Sequence, residues 1–127
     1  MAEVRYTPSH EWCALDGNTL TCGISKHAAS ELADLTFLEF RVAAGDEVAA
    51  KDPICEIDAV KTTAEVYAPF AGKVLEVNER FSNEDELPNL SADPEGEGWL
   101  FKLEPSDASG FGELLDAEAY RAHCAEG

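Results

Sequence analysis

Basic residues are scarce in this chain. Nine lysines and arginines face 26 aspartates and glutamates, a formal charge of −17 over 127 residues. A surface of that sign repels polyanions, which argues against nucleic acid and anionic membranes as partners. No apolar run approaches the roughly 18 residues that a membrane helix needs. The N-terminus, Met1-Ala2-Glu3-Val4-Arg5-Tyr6, lacks an apolar signal region. The expected address is therefore cytoplasmic. Methionine occurs once, at Met1. The four cysteines, Cys13, Cys22, Cys55 and Cys124, form no Cys-x-x-Cys pair. Zinc-ribbon and thioredoxin-type motifs are thus unsupported. No Ser/His/Asp or Cys/His arrangement has motif context, so intrinsic hydrolase chemistry lacks positive evidence.

What remains is enough for a folded domain. Hydrophobic residues make up 45% of the chain, which sets disorder aside. A length of 127 residues fits one domain, here taken as 1–127, that buries a core without metal or disulfide support. The acidity has two readings. It serves solubility, as in a salty or alkaline setting, or it steers the protein toward enzymes with basic docking surfaces. We favour a mixture of both.

Short strands dominate the pattern. Val4 to Thr7 predicts a strand ended by Pro8, and Glu11 to Leu15 with Thr19 to Gly23 predicts a hairpin around Asp16-Gly17-Asn18. Ser25 is a candidate N-cap for a helix from Lys26 to Ala33. Leu35 to Arg41, Val48 to Ala50, Ile54 to Ala59, Ala64 to Tyr67, Gly72 to Asn78 and Trp99 to Leu103 read as strands. Asn83 to Leu90 predicts one or two helical turns interrupted at Pro88, and Ala92 to Gly98 a loop. Pro105 to Gly110 is turn-like, and Asp116 caps a terminal helix through about Cys124. Many short strands with small helices fit a β-sandwich or flattened barrel better than an α/β fold. A faint internal symmetry places Gly45 before Asp46-Glu47-Val48 and Gly72 before Lys73-Val74-Leu75.

Some residues invite a functional and a plainer reading. A turn at Gly17-Asn18 would pair Asp16 with Thr19 and bring Cys13 opposite Cys22. A cross-strand disulfide is then geometrically open, but two buried thiols in a cytosolic core are the favoured reading. His10, His27 and His123 share no ligand spacing with the cysteines, so no metal site is expected. Trp12, Trp99, Phe37, Phe40 and Tyr67 are expected in the core.

Lys61 carries most of the functional signal. It lies in Ile57-Asp58-Ala59-Val60-Lys61-Thr62-Thr63-Ala64-Glu65-Val66-Tyr67-Ala68-Pro69, where two strand-like runs meet and the chain should reverse. A lysine alone at a hairpin tip presents its ammonium on a stiff base, which is what a modifying ligase needs. The tip and its flanks resemble the H protein of the glycine cleavage system. That family reads Glu-Ser-Val-Lys-Ala where this chain reads Asp58-Ala59-Val60-Lys61-Thr62. His10-Glu11-Trp12, Cys22-Gly23-Ile24, Gly45-Asp46-Glu47-Val48, Val66-Tyr67-Ala68-Pro69 and Gly72-Lys73-Val74 fall where the family has similar residues. So do Val77-Asn78-Glu79, Asp93-Pro94-Glu95-Gly96-Glu97-Gly98-Trp99 and Asp116-Ala117-Glu118-Ala119-Tyr120, over nearly the whole chain.

The resemblance implies a mainly β barrel-sandwich hybrid, or hammerhead, fold with small peripheral helices and a C-terminal helix. It implies lipoate joined by an amide to Lys61, with Asp58, Ala59, Val60 and Thr62 as the tip that a lipoate ligase or lipoyl transferase reads. Biotin fits less well, because biotin sites flank the lysine with methionines. Phosphopantetheine fits less well too, because Asp-Ser-Leu and a helical bundle are missing. The implied role is a non-catalytic carrier of an aminomethyl intermediate among glycine decarboxylase, aminomethyltransferase and dihydrolipoyl dehydrogenase. His10 and Glu11 are expected to line the cleft where a loaded arm rests. Asp58 is one methylene shorter than the family glutamate, Ala59 lacks the serine hydroxyl, and Thr62-Thr63 replace small alanines. These departures keep open an H-like lipoate-binding protein that carries sulfur intermediates to a heterodisulfide-reductase-like complex. A lipoyl-transfer intermediary and an unmodified H-like module are further alternatives. A carrier that docks on several enzymes is expected to be a monomer.

Overall fold

Turn chemistry at Gly17 sets the first sheet. In the computed structural model, which describes residues 3–32, 34–60, 62–107 and 109–126, Gly17 has φ +63°. That value suits the first position of a tight hairpin turn and favours glycine. The turn joins β2 (Glu11–Asp16) to β3 (Thr19–Ile24), with Asp16 opposite Thr19 and Cys13 opposite Cys22, the register that the sequence predicts. Strand β1 (Glu3–Tyr6) pairs with β2. It stops one residue before the expected Thr7, whose carbonyl accepts from the His10 amide in a turn.

Six strands form the larger antiparallel sheet, in the order β1-β2-β3-β9-β8-β5, where β5 is Glu47–Val48, β8 is Gly72–Val77 and β9 is Phe101–Pro105. The two segments behind the faint internal symmetry are neighbours there. Glu47 lies opposite Lys73, and Gly45 donates its amide to the Val74 carbonyl at 2.7 Å. Gly72 is required by close approach: a Cβ there would strike the Glu104 carbonyl and lie 2.8 Å from the Pro105 Cα. Three strands, β4 (Leu35–Phe40), β6 (Pro53–Ala59) and β7 (Thr63–Tyr67), form the second antiparallel sheet with β6 in the centre.

The core lies between the sheets and under the helices. Leu20, Ile54, Ile57, Val66, Val74, Phe81, Phe101 and Leu103 are fully buried or nearly so. Each such side chain contributes about 1.5–3 kcal/mol relative to an exposed one. Trp12 is buried, and Phe40, Tyr67 and Trp99 are half-buried. Phe37 departs from its expected place in the core: it is 41% exposed. A register shift between Leu35 and Phe37 breaks the alternation, so Leu38 takes the inward face and Phe37 the outward one.

Small helices edge the sheets. Helix α1 (Lys26–Leu32) starts where the Ser25 hydroxyl accepts from the Ala28 amide at 3.1 Å, and its expected last residue, Ala33, lies outside the described residues. Helix α2 (Leu87–Ala92) carries Pro88 in its first turn rather than being interrupted by it, because a first-turn residue needs no amide donor. Two short 3₁₀ turns, Glu79–Ser82 and Glu84–Glu86, lead into it. Helix α3 (Ala117–Glu126) begins where Asp116 Oδ1 accepts from the Ala119 amide at 2.8 Å, as the capping pattern predicts. The fold is thus mainly β, with two antiparallel sheets, small peripheral helices and a C-terminal helix, as the resemblance implies.

Candidate functional site

The end of the β6–β7 hairpin is held from several sides. The strands pair from Cys55 opposite Val66 to Asp58 opposite Thr63. Beyond that pair the Ala59 amide donates to the Thr62 carbonyl at 2.8 Å. Asp58 accepts from the Thr63 hydroxyl at 3.1 Å, and its own carbonyl accepts from Thr36 at 3.2 Å. The Val60 amide donates to the Asp34 carbonyl at 3.0 Å, which ties the tip to the segment after α1. Arg41 crosses below, 2.6 Å from Glu56 and 3.7 Å from Glu65. These contacts anchor the described residues on either side of position 61.

The structure brings four of the five tip residues into one place. Asp58 and Ala59 are half-buried at the strand end, Thr62 is exposed, and Val60 is 67% exposed. Lys61 lies outside the described residues.

Two clefts flank this hairpin's strands. One, of about 370 Å³, is lined by Ser9, His10, Glu11, His27, Ala64 and Glu65. The other, of about 570 Å³, is lined by Thr7, Pro8, Glu11, Lys51, Tyr67 and Pro69. Glu11 lines both and is itself 2% exposed. Its carboxyl accepts from the Thr7 hydroxyl at 2.5 Å, the Ser9 hydroxyl at 2.7 Å and the Tyr67 amide at 3.5 Å. Burial pushes this carboxyl above its ordinary range, and those hydrogen bonds pull the other way. The sequence placed Glu11 at a cleft but missed Thr7 and Ser9 as its donors. The hydroxyls two and four residues upstream were the available signal.

Other residues quoted for the resemblance act as girders. Trp12 Nε1 donates to the Pro94 carbonyl at 2.7 Å. Glu95 accepts from the Tyr6 phenol at 2.7 Å and from the Lys26 amide at 2.8 Å. Tyr6 stacks on Tyr120 with ring centroids 4.4 Å apart. Tyr120 Oη lies 2.6 Å from both the Ser25 hydroxyl and His10 Nδ1. Burial is the first cause that lifts the Tyr120 phenol above its ordinary value. His10 has φ +71°, a left-handed conformation that few non-glycine residues adopt. Burial first, and then the neighbouring His27 and His123, push its imidazole below the ordinary value.

The sequence led us to expect no metal site, yet the fold gathers His10, His27 and Cys124. Their ligand atoms all lie within 4.8 Å of one another. Residues so far apart in the chain have no spacing to detect. The other three cysteines are buried, and all four are free thiols.

Known proteins are similar to this chain in architecture and in sequence. Residues 4–127 match the family described as "Glycine cleavage H-protein". The glycine cleavage system H protein of Thermotoga maritima is 43% identical over 122 residues, 96% of each chain. That of Alteromonas mediterranea is 44% identical over 119 residues, covering 93% of this chain and 90% of the other. The crystal structure of a glycine cleavage system H protein from Mycobacterium marinum superposes with a TM-score of 0.82 at 29% identity, over 97% of each chain. With matched sequence from residue 4 to residue 127 and matched architecture, the chain belongs to the glycine cleavage H-protein family.

Proposed function

We propose that this protein is the lipoyl carrier of a glycine cleavage system, with lipoate joined by an amide to Lys61. The observation that carries the reading is the anchored β6–β7 hairpin, whose described tip residues bracket position 61 in a family-matched sequence. The tip fits the group. Exposed Val60 and Thr62 leave a modifying enzyme room to dock, and half-buried Asp58 is fixed by Thr63 and Thr36. When bound, lipoate supplies a dithiolane that opens to two thiols and so accepts a group and electrons together.

The chain's own residues position and shield. Paired β6 and β7 hold the described residues on either side of position 61 at one end of the smaller sheet. The cleft beside Ala64 and Glu65 gives a loaded arm a place to rest, with His10 and Glu11 in its wall. Glu11 offers that cleft a carboxyl held by Thr7 and Ser9. In this role the protein carries an aminomethyl intermediate among glycine decarboxylase, aminomethyltransferase and dihydrolipoyl dehydrogenase, and it catalyses no step itself. A lipoate ligase or lipoyl transferase loads it. Residues 1–127 work as one domain, as a monomer, in the cytoplasm.

Glycine–bicarbonate carbon exchange tests the reading, using lipoylated protein and glycine decarboxylase from the same organism. Strong stimulation, lost in Lys61→Arg, is expected. No stimulation from protein whose lipoyl mass is verified would overturn the aminomethyl cargo and point to sulfur intermediates or lipoyl transfer instead.

A further inference from the structure

All three histidines of the chain meet at one place, together with a cysteine. His10 and His27 rings lie 4.9 Å apart between centroids, and His10 and His123 5.5 Å apart. The residues come from three separate elements: the turn before β2, helix α1 and helix α3. Cys124 is half-buried there, whereas Cys13, Cys22 and Cys55 are in the core. Carrier function as proposed above uses His10 only as a cleft wall and gives Cys124 and His123 no part.

We propose that His10, His27 and Cys124 form a binding site for a borderline-soft divalent cation, zinc in the first instance. Two imidazoles and a thiolate are the donor set that such an ion prefers, and the fourth position is left to water. The ligand atoms lie within 4.8 Å of one another. Around a tetrahedral zinc ion they would stand about 3.4–3.6 Å apart, given Zn–N near 2.0–2.1 Å and Zn–S near 2.3 Å. Small side-chain rotations close that difference, since all three side chains are only half-buried.

Neighbouring groups support the arrangement. Tyr120 Oη lies 2.6 Å from His10 Nδ1, which engages one ring nitrogen and leaves the other for the ion. His123 is outside the set of three converging ligand atoms, and its Nε2 donates to the Pro8 carbonyl at 3.0 Å. Its ring lies beside that of His10, with centroids 5.5 Å apart. Glu31, 3.6 Å from His27 Nε2, adds negative charge at the rim. On binding, the Cys124 thiol loses its proton to solvent and the ion takes the thiolate, with no change of oxidation state. A bound ion would join α3 to α1 and to the wall of the cleft that His10 and His27 line.

Untagged full-length protein, stripped with a chelator, is titrated with cobalt(II) and then zinc(II). We expect one cobalt per chain with a thiolate-to-cobalt charge-transfer band, which zinc displaces. Zinc should raise the melting temperature of the wild type. Cys124→Ser should remove the charge-transfer band, and His27→Gln should weaken zinc binding by more than about 100-fold. Circular dichroism checks that each variant is folded, and His27→Gln suffices if Cys124→Ser is not. Absence of the band, its survival in folded Cys124→Ser, or unchanged zinc affinity in folded His27→Gln would overturn the site. None of these readouts depends on lipoylation or on glycine cleavage.

Discussion

Cys13 sits directly opposite Cys22 across β2 and β3, and both thiols are fully buried and free. The register that makes a bridge conceivable is therefore present without the bridge. Thiol counting on denatured, unreduced protein should give four free thiols. Two would mean that the pair oxidises.

Buried thiols should also shape stability at high pH. Burial pushes the Cys55 thiol far up, with the Glu11 charge adding and Arg41 opposing. Cys22 moves the same way, again through burial first. A group whose pKa is raised on folding stabilises fully below its unfolded value and loses that contribution above it. The window opens near the ordinary thiol pKa of about 8.5, and each thiol then costs up to about 1.4 kcal/mol per pH unit. Urea unfolding of Cys55→Ala from pH 8 upward should show a slope shallower by about that amount. An unchanged slope would count against the burial argument.

Gly72 has no room for a side chain, because the Glu104 carbonyl and Pro105 Cα lie against it. Gly72→Ala should destabilise by about 3 kcal/mol, read as a lower urea midpoint at unchanged m. At Gly112 a side chain would meet open space, with no atom within 4 Å of a Cβ there, so Gly112→Ala should stay within about 0.5 kcal/mol of the wild type.

At the hairpin tip, Asp58→Asn should keep the Thr63 contact but remove the charge that the loading enzyme meets. We expect lipoylation in vitro to slow by about 10-fold with the fold unchanged. Val60→Ser should slow it too, through the lost apolar contact. Mass spectrometry over time measures both. Rates equal to the wild type would show that the enzyme reads other residues.

Charge steering has a separate test. With a formal charge of −17, association with a basic partner surface should fall as salt rises. Screening shortens from about 10 Å at 0.1 M to about 3 Å at 1 M, and the association rate should drop by at least about 10-fold. A rate indifferent to salt would leave solubility as the role of the acidity.

The sequence carried local information well. The Gly17 turn, the Ser25 and Asp116 caps and the Cys13–Cys22 register follow from residues that sit near one another in the chain. Errors arose where a local signal met a non-local constraint. Phe37 has the right chemistry for the core, but a bulge turned it outward. Pro88 looked like a break and is a helix start, because α2 begins at Leu87. At the site, the tip hairpin was legible because β6 and β7 are adjacent. The His10–His27–Cys124 cluster and the hydroxyls on Glu11 were not. They depend on which way side chains turn and on contacts that cross most of the chain.

One such crossing governs how the molecule comes apart. Tyr6 and Leu115 exchange backbone hydrogen bonds of 2.7 and 2.9 Å, and Arg5 reaches the Leu114 carbonyl across 109 positions. Closing a loop of that length costs roughly 3 kcal/mol more than closing one of about five residues. The β2–β3 and β6–β7 hairpins are therefore expected to form early, and the segment from Leu114 onward to dock on β1 late. The same segment is expected to open ahead of the sheets, so amides of α3 should exchange with solvent well before those of β6.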